Sequence, residues 1–286
     1  MYIVLGATGH VGSAVADALL QGGEAVTVVT RDAAKAARWR ARGAEAAVLD
    51  LSDRAALVTL LRRGNRAFLL NPPAPPTSDT DAEEHRTLAD IVAALDGSGL
   101  EKVVLQSTYG AQPGDRIGDL SVLYDFERAL ARQPIPVTVL RAAYYMSNWD
   151  ALLPAARDGV LPTMFPPDLA LPMVDPADVG RVAARLLREP PGPTRVHHVE
   201  GPARYTAQQV ADTFAAALAR EVRVAVTPRE RWEDAYRDLG FSAAGATAYA
   251  RMTAATVDRG GALPLGDERG TTTLVDHVEA LVARGR

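Results

Sequence analysis

The sequence contains no cysteine and only two lysines, Lys35 and Lys102, in 286 residues. The first absence excludes disulfides, thiolate nucleophiles and cysteine-ligated zinc, and it suits a reducing cytoplasm, the expected location. The second leaves few amines for catalysis. The five histidines, His10, His85, His197, His198 and His277, fall in no HExxH or related spacing, so no metal site is expected. No apolar run approaches the roughly 20 residues of a membrane span. Met1 leads straight into an apolar strand pattern, so no signal peptide is expected. The net charge of −4 offers nucleic acid no bulk attraction. The expected partners are a small molecule and at most a second copy of the chain, as monomer or homodimer.

What is present is concentrated at the start. Tyr2-Ile3-Val4-Leu5 is a short apolar run, followed by Gly6-Ala7-Thr8-Gly9-His10-Val11-Gly12 and then a helical pattern through Val11, Ala14, Val15, Ala18 and Leu19. In a strand–turn–helix unit of this kind the glycines have separable jobs. Gly6 permits the tight exit from the strand, Gly9 lets the backbone approach a pyrophosphate, and Gly12 lets the helix pack closely on the sheet. Free N–H groups at the helix start favour an anion there. The segment Gly6, Thr8, Gly9, His10, Val11, Gly12 is therefore expected to bind a dinucleotide; an ordinary strand-to-helix turn is the competing reading.

Further apolar strands are expected at Ala25–Thr30, Ala46–Leu49, Arg66–Leu70, Lys102–Gln106 and Val137–Arg141. Helices are expected between them at Ala33–Arg42, up to Leu61 from a cap at Ser52 or Asp53, Thr80–Leu95 and Ser121–Ala131. Strands apolar on both faces and alternating with helices require a parallel sheet covered on both sides. The expected class is α/β, a Rossmann-type doubly wound parallel sheet with a small, mainly helical C-terminal substrate domain. Its ligands lie at the C-terminal strand edge. The division is drawn at residues 1–150 and 151–286, with the chain returning to the first unit around residues 174–200. After Arg141 the pattern predicts a loop or short strand at Leu161–Pro167, helices at Asp175–Leu187 and Thr206–Leu218, a strand at Arg195–Glu200, and helices at Arg229–Leu239, Ala243–Val257 and Thr272–Ala283.

Gly6–Gly12, Thr30-Arg31-Asp32, Phe126-Glu127-Arg128-Ala129-Leu130, Val137–Ala142, Asn148, Val174–Val179 and Tyr205–Val210, in that order, resemble the NmrA-like branch of the atypical short-chain dehydrogenase/reductases. The resemblance spans nearly the whole chain. It implies an NAD(P)-binding domain with a small C-terminal substrate domain. It also implies one of three roles: NAD(P)H-dependent quinone reductase, biosynthetic reductase, or dinucleotide-binding regulator without turnover.

Arg31, just after the second strand, suits the 2′-phosphate of NADP(H), which is thus preferred over NAD(H); a solvated surface arginine is the alternative. Asp50 and Leu51 resemble residues that hold adenine, although Asp50 also reads as a helix cap. Asn71-Pro72-Pro73 resembles the loop beside the nicotinamide ribose, although prolines also make a rigid turn without a ligand. Ser107 sits where the family places a catalytic serine, or is a loop serine or cap.

Ordinary members of the superfamily use a Tyr with a Lys four residues later. Tyr124 with Arg128 has that spacing, but aligning on Glu127 puts the pair at Asp119 and Leu123. Leu123 is uncharged, and a carboxyl such as Asp119 is ordinarily ionised at neutral pH. Tyr124 remains a weak catalytic candidate beside Ser107, or else a packed or rim tyrosine. Without a strong acid, hydride transfer to a quinone or related flat polycyclic carbonyl compound is the expected reaction. A nucleotide-sensing regulator is the alternative, and a redox-neutral isomerase or cyclase the third. Tyr109, Tyr144, Tyr145, Met146, Asn148, Trp149, Phe165 and Trp232 are the expected substrate-facing side chains, with Tyr236 and Phe241 as further candidates; for any single one, ordinary core packing competes.

Overall fold

The computed structural model describes residues 1–260 and 263–285. The first half alternates without interruption: β1 (Tyr2–Val4), α1 (His10–Gln21), β2 (Val26–Thr30), α2 (Ala33–Arg40), β3 (Glu45–Val48), α3 (Arg54–Leu61), β4 (Arg66–Leu69), α4 (Thr80–Ala94), β5 (Lys102–Thr108), α5 (Asp119–Leu130) and β6 (Val137–Ala142). The second half contributes β7 (Tyr144–Tyr145), a 3-10 turn over Met146–Leu152, α6 (Leu153–Arg157), β8 (Val160–Thr163), β9 (Leu171–Val174), α7 (Pro176–Arg188), β10 (Arg195–Glu200), β11 (Arg204–Tyr205) and α8 (Ala207–Leu218). It closes with β12 (Arg223–Val226), a 3-10 turn over Arg229–Arg231, α9 (Trp232–Asp238), α10 (Ala243–Arg259), β13 (Glu268–Arg269) and α11 (Leu274–Arg284).

Eight strands form one sheet in the order β3-β2-β1-β4-β5-β6-β10-β13, and every neighbouring pair runs parallel. This is a Rossmann-type doubly wound sheet. Adjacent side chains of a strand point to opposite faces, and here both are enclosed: Val4 packs under α1 and α7, while Ile3 and Leu5 pack under α3, α4 and α5. α1 and α7 approach so closely that a Cβ at Gly180 would stand 2.3 Å from the Ala14 Cβ. The strand order reverses between β2-β1 and β4. The crevice beyond β1 is thus the switch point where such sheets take ligands.

A third core, around Met146, Trp149, Leu161, Met173, Phe214, Leu274 and Val278, holds the remaining elements together as a cap. The sheet-spanning clasp between cap and sheet is ionic. His277 of α11 places Nδ1 2.7 Å from Asp175 at the start of α7 and Nε2 2.7 Å from Asp150. Among the described residues no helix is long and apolar enough to cross a membrane.

Several elements depart from the sequence pattern. The segment read as loop or strand at Leu161–Pro167 contains β8, which tolerates Pro162 because it belongs to a two-stranded sheet with β12. β7, β9, β11 and β13 were not expected; three of them have two residues each, too few for a period to show. The helix expected at Arg229–Leu239 is a 3-10 turn followed by α9. α5 starts at Asp119 rather than Ser121, after Gly118 with φ 55°.

Candidate active site

The glycine turn has the geometry its residues demand. Gly6 lies at φ 66°, where a side chain is strained, and its amide partner Gly9 N–H donates to Gly6 O at 3.0 Å. A Cβ at Gly12 would stand 2.3 Å from Gly6 O, so only glycine lets α1 seat against the turn. Thr8, Gly9 and His10 are exposed, while Val11 and Gly12 are buried. α1 has Gly9 as N-cap, with no side-chain cap and no acidic residue in its first turn. By contrast α2, α3, α4, α7, α8, α10 and α11 are capped by Asp32, Asp53, Asp79, Asp175, Thr206, Ser242 and Thr273. α5, α6 and α9 also lack a side-chain cap, but α1 starts at the switch point, and a helix start there with no side chain on its amides fits the diphosphate of a dinucleotide.

One residue that supports this loop was not legible in sequence. The buried indole of Trp39, from α2, donates to Ala7 O at 3.2 Å and pins the turn from behind. Trp39→Phe keeps the packing and removes the donor. Nucleotide affinity is expected to fall about fivefold, the worth of one net hydrogen bond, in a fluorescence titration. An unchanged Kd would show that the turn holds its shape unaided.

At the adenosine end, Arg31 is 79% exposed and its Nη1 lies 3.9 Å from Asp50 Oδ2. Asp50 does not cap α3; Asp53 does. Instead Asp50 accepts the Ser52 backbone N–H at 2.9 Å and its hydroxyl at 2.7 Å, and these bonds hold its carboxyl below the usual range. Leu51 is half-buried against the face covered by α3.

At the tips of β4 and β5, two amide groups have one half satisfied. Asn71 Nδ2 donates to Glu84 O at 3.0 Å and Gln106 Nε2 donates to Ser107 O at 2.7 Å. Those carbonyl acceptors fix both amide orientations. Asn71 Oδ1 and Gln106 Oε1 are enclosed acceptors without a partner among the described residues. Pro72 and Pro73 follow, half-buried and exposed.

The two weak catalytic candidates fare differently from their expectation. Ser107 is buried, and its hydroxyl donates to Glu127 Oε1 at 2.5 Å; Arg141 grips the same carboxylate with Nε at 2.9 Å and Nη2 at 2.6 Å. Ser107 thus anchors β5 to α5 and has no hydrogen left for substrate. Tyr124 is half-exposed and lies roughly 140° around α5 from Asp119. Lys102 is at the opposite end of β5, its ammonium on Leu186 O at 2.6 Å.

Asp119 itself requires the largest correction. It was expected to be ionised. It stands at the first position of α5, in a recess where solvent reaches it only partly, and it shares a hydrogen bond with the Glu84 carboxyl of α4. Burial raises both groups; the Asp119 charge adds to the rise of Glu84, which is pushed up to about 8, whereas the hydrogen bond with Glu84 opposes the rise of Asp119. Glu84 is only 3% exposed, and its Oε1 accepts the Ala74 N–H at 3.0 Å. Thirty-five positions separate the two acids, which is why no local pattern showed them.

Aromatic rings surround this pair. Tyr145, at the tip that follows β6, faces both Asp119 and the Gln106 amide. Tyr249 of α10 faces Asp119 and Glu84 and stacks on Phe241 at 4.6 Å, with Tyr236 at 5.4 Å from Phe241. Tyr144, Trp149 and Phe165 form a second group with centroids 5.5–6.4 Å apart, and Tyr144 stands beside exposed Asn148. Three expected substrate residues are elsewhere. Met146 is fully enclosed in the cap core. The Trp232 indole donates to Thr227 O at 2.9 Å under the Arg229 guanidinium, and it lines an outward depression of about 450 Å³. That depression is walled by cap residues alone, its Arg229 and Arg251 already paired with Asp258 and Asp115, so it is not the chemical site. Tyr109 is buried edge-on to His198 at 5.2 Å, on the β10 side.

Residues 2–253 match the NmrA-like family. The chain belongs to that family. It is 24% identical over 241 residues to an NAD(P)H azoreductase of Xenophilus azovorans, covering 84% of this chain and 82% of that protein. It is 26% identical to quinone oxidoreductase 2 of Escherichia coli (strain K12), covering 74% and 72%. Among solved structures, the Citrobacter sp. triphenylmethane reductase complexed with NADP(H) superposes with a TM-score of 0.82 at 19% identity, over 98% of this chain and 99% of that one. At that identity the superposition establishes the fold.

Proposed function

We propose that this family member is an NAD(P)H-dependent oxidoreductase that prefers NADPH and reduces a quinone or related flat carbonyl compound. The observation that carries the reading is the uncapped start of α1 behind the Gly6–Gly12 turn, at the switch point of a parallel sheet. The names of the curated relatives, reductases that use NAD(P)H or act on quinones, point the same way.

In this reading the amides of Gly6–Gly12 hold the diphosphate, Arg31 the 2′-phosphate, Asp50 and Leu51 the adenosine, and Asn71–Pro73 the second ribose. The bound dinucleotide supplies the hydride. Tyr145, Tyr144 and the cap rings supply a flat apolar wall that orients an aromatic acceptor and excludes water. We assign residues 1–150 the nucleotide and 151–286 the cap, with α7 and β10 returning to the sheet.

Stopped-flow mixing of NADPH-loaded protein with a panel of quinones is the test; loss of the reduced-nicotinamide absorbance is expected. Arg31→Ala should weaken NADPH about tenfold, the worth of a charge-assisted contact, and leave NADH unchanged. Equal losses for both would remove Arg31 from the phosphate. A sensor is the second reading, favoured by the mutual packing of Tyr236, Phe241 and Tyr249 within the cap. Nucleotide binding without turnover of any acceptor would establish it.

A further inference from the structure

We propose that Glu84 and Asp119 together are the proton donor of this site, one shared proton standing where the superfamily's tyrosine would be. The inference rests on the oxidoreductase reading above and removes its restriction to acceptors that need no protein acid.

The geometry comes from four elements. Asp119 is the first residue of α5, and aligning on Glu127 places it at the position of the missing tyrosine. Glu84 reaches it from α4 and is held by the Ala74 N–H, in the loop that leaves β4. Tyr145 and Tyr249 close the recess from the β6 side and from the cap. The remaining charges nearby are Asp81, on the same helix as Glu84, and Arg116, which pairs with Asp79 at 2.5 Å and stands 4.0 Å from Asp81. No cation pairs with either Glu84 or Asp119 among the described residues. Two carboxylates in hydrogen-bonding contact in a recess that solvent reaches only partly resist ionising together, so the pair retains one proton. A second observation points to a ligand in the same place. Gln106 is 7% exposed, its Oε1 has no hydrogen-bond partner among the described residues, and it stands beside Tyr145 at the tip of β5. A buried acceptor with a fixed orientation calls for an N–H or O–H from a bound molecule.

The step balances. A hydride from the reduced dinucleotide forms a C–H bond at the acceptor's carbonyl carbon, the C=O π pair moves to oxygen, and that oxygen takes the shared proton. The acceptor gains two electrons, the dinucleotide is oxidised, and the acid pair is left as two carboxylates. Their repulsion then draws a proton back from water. Because the donor must be protonated, turnover falls as pH rises through the pair's upper titration, near 8.

The test combines a titration with kinetics. Carboxyl ¹³C signals of labelled protein, assigned by their loss in Glu84→Gln and Asp119→Asn, should show one proton retained at pH 7 and released near pH 8. With 9-fluorenone as acceptor, Asp119→Asn should cost about 10²–10³ in kcat and abolish the alkaline fall, while its loss with menadione stays within about tenfold. Its NADPH affinity, read by fluorescence, should be unchanged. Two ionised carboxyls at pH 7 overturn the proposal, as does an Asp119→Asn profile identical to wild type. Reduction of menadione but not of 9-fluorenone by the wild type also overturns it. Wild-type protein that binds no nucleotide overturns the oxidoreductase reading instead, and the labelled carboxyls distinguish the two failures.

Discussion

Gly12→Ala is expected to cost about two orders of magnitude in NADPH affinity. The added Cβ would stand 2.3 Å from Gly6 O, 2.5 Å from Gly6 C and 2.9 Å from the Ala7 nitrogen. All three are backbone atoms, so no flexible side chain can yield. α1 must back away from the turn or the turn must open, and either movement pulls the first amides of the helix off the diphosphate position. Overpacking of this kind costs up to about 3 kcal/mol, and 1.4 kcal/mol is a factor of ten in Kd. Gly9→Ala separates crowding from ligand approach. Its Cβ meets only Gly6 O at 3.5 Å within the protein, so the variant should fold as wild type and still lose affinity. Thermal unfolding alongside calorimetry checks both. Wild-type affinity in Gly9→Ala would mean that no ligand backbone contact occurs there.

His277→Ala is expected to lower the melting temperature by about 5 °C, from a loss of about 3 kcal/mol. His277 is 7% exposed and bridges Asp150 and Asp175, both at 2.7 Å. Without it, two carboxylates on separate elements face each other with Arg181 the remaining cation near Asp175. The clasp is pH-dependent on both sides. Burial opposes protonation of His277, but hydrogen bonds to Asp175 and Asp150 prevail and raise it above its ordinary 6.5. Its contribution is complete below that value and is lost as pH rises through the raised one. Burial likewise opposes ionisation of Asp175, but the bond to His277 prevails and holds the carboxyl below its ordinary 3.8. That contribution is present above 3.8 and is lost as pH falls. Wild-type stability should therefore decline on both sides of the interval from about pH 4 to 6.5, and His277→Ala should flatten the alkaline limb. A variant with the wild-type melting profile would show that the hydrophobic core of the cap suffices without the clasp.

What the sequence displayed was whatever depends on neighbours in the chain. The Gly6–Gly12 turn, the caps Asp32 and Asp53 and the first six sheet strands follow from local periodicity and turn chemistry. The chemical centre does not. Asp119 read as an ordinarily ionised carboxylate and Glu84 drew no notice, because their shared proton exists only after α4 and α5 pack side by side. Trp39 was hidden for the same reason: its bond to Ala7 O crosses 32 positions. Ser107 and Tyr109 were placed by strand position or by ring type, and in each case a partner from another element, Glu127 or His198, claims the group, while the Trp232 indole turns to the nearby Thr227 O. The two-residue strands β7 and β11 carry too little pattern to be read at all.

Calorimetric titration of the purified chain with NADPH and NADH tests the central claim most directly. The account predicts binding of one nucleotide per chain, tighter for NADPH, with Gly12→Ala weakening both by about two orders of magnitude. No heat and no fluorescence change with either nucleotide, reduced or oxidised, would contradict it.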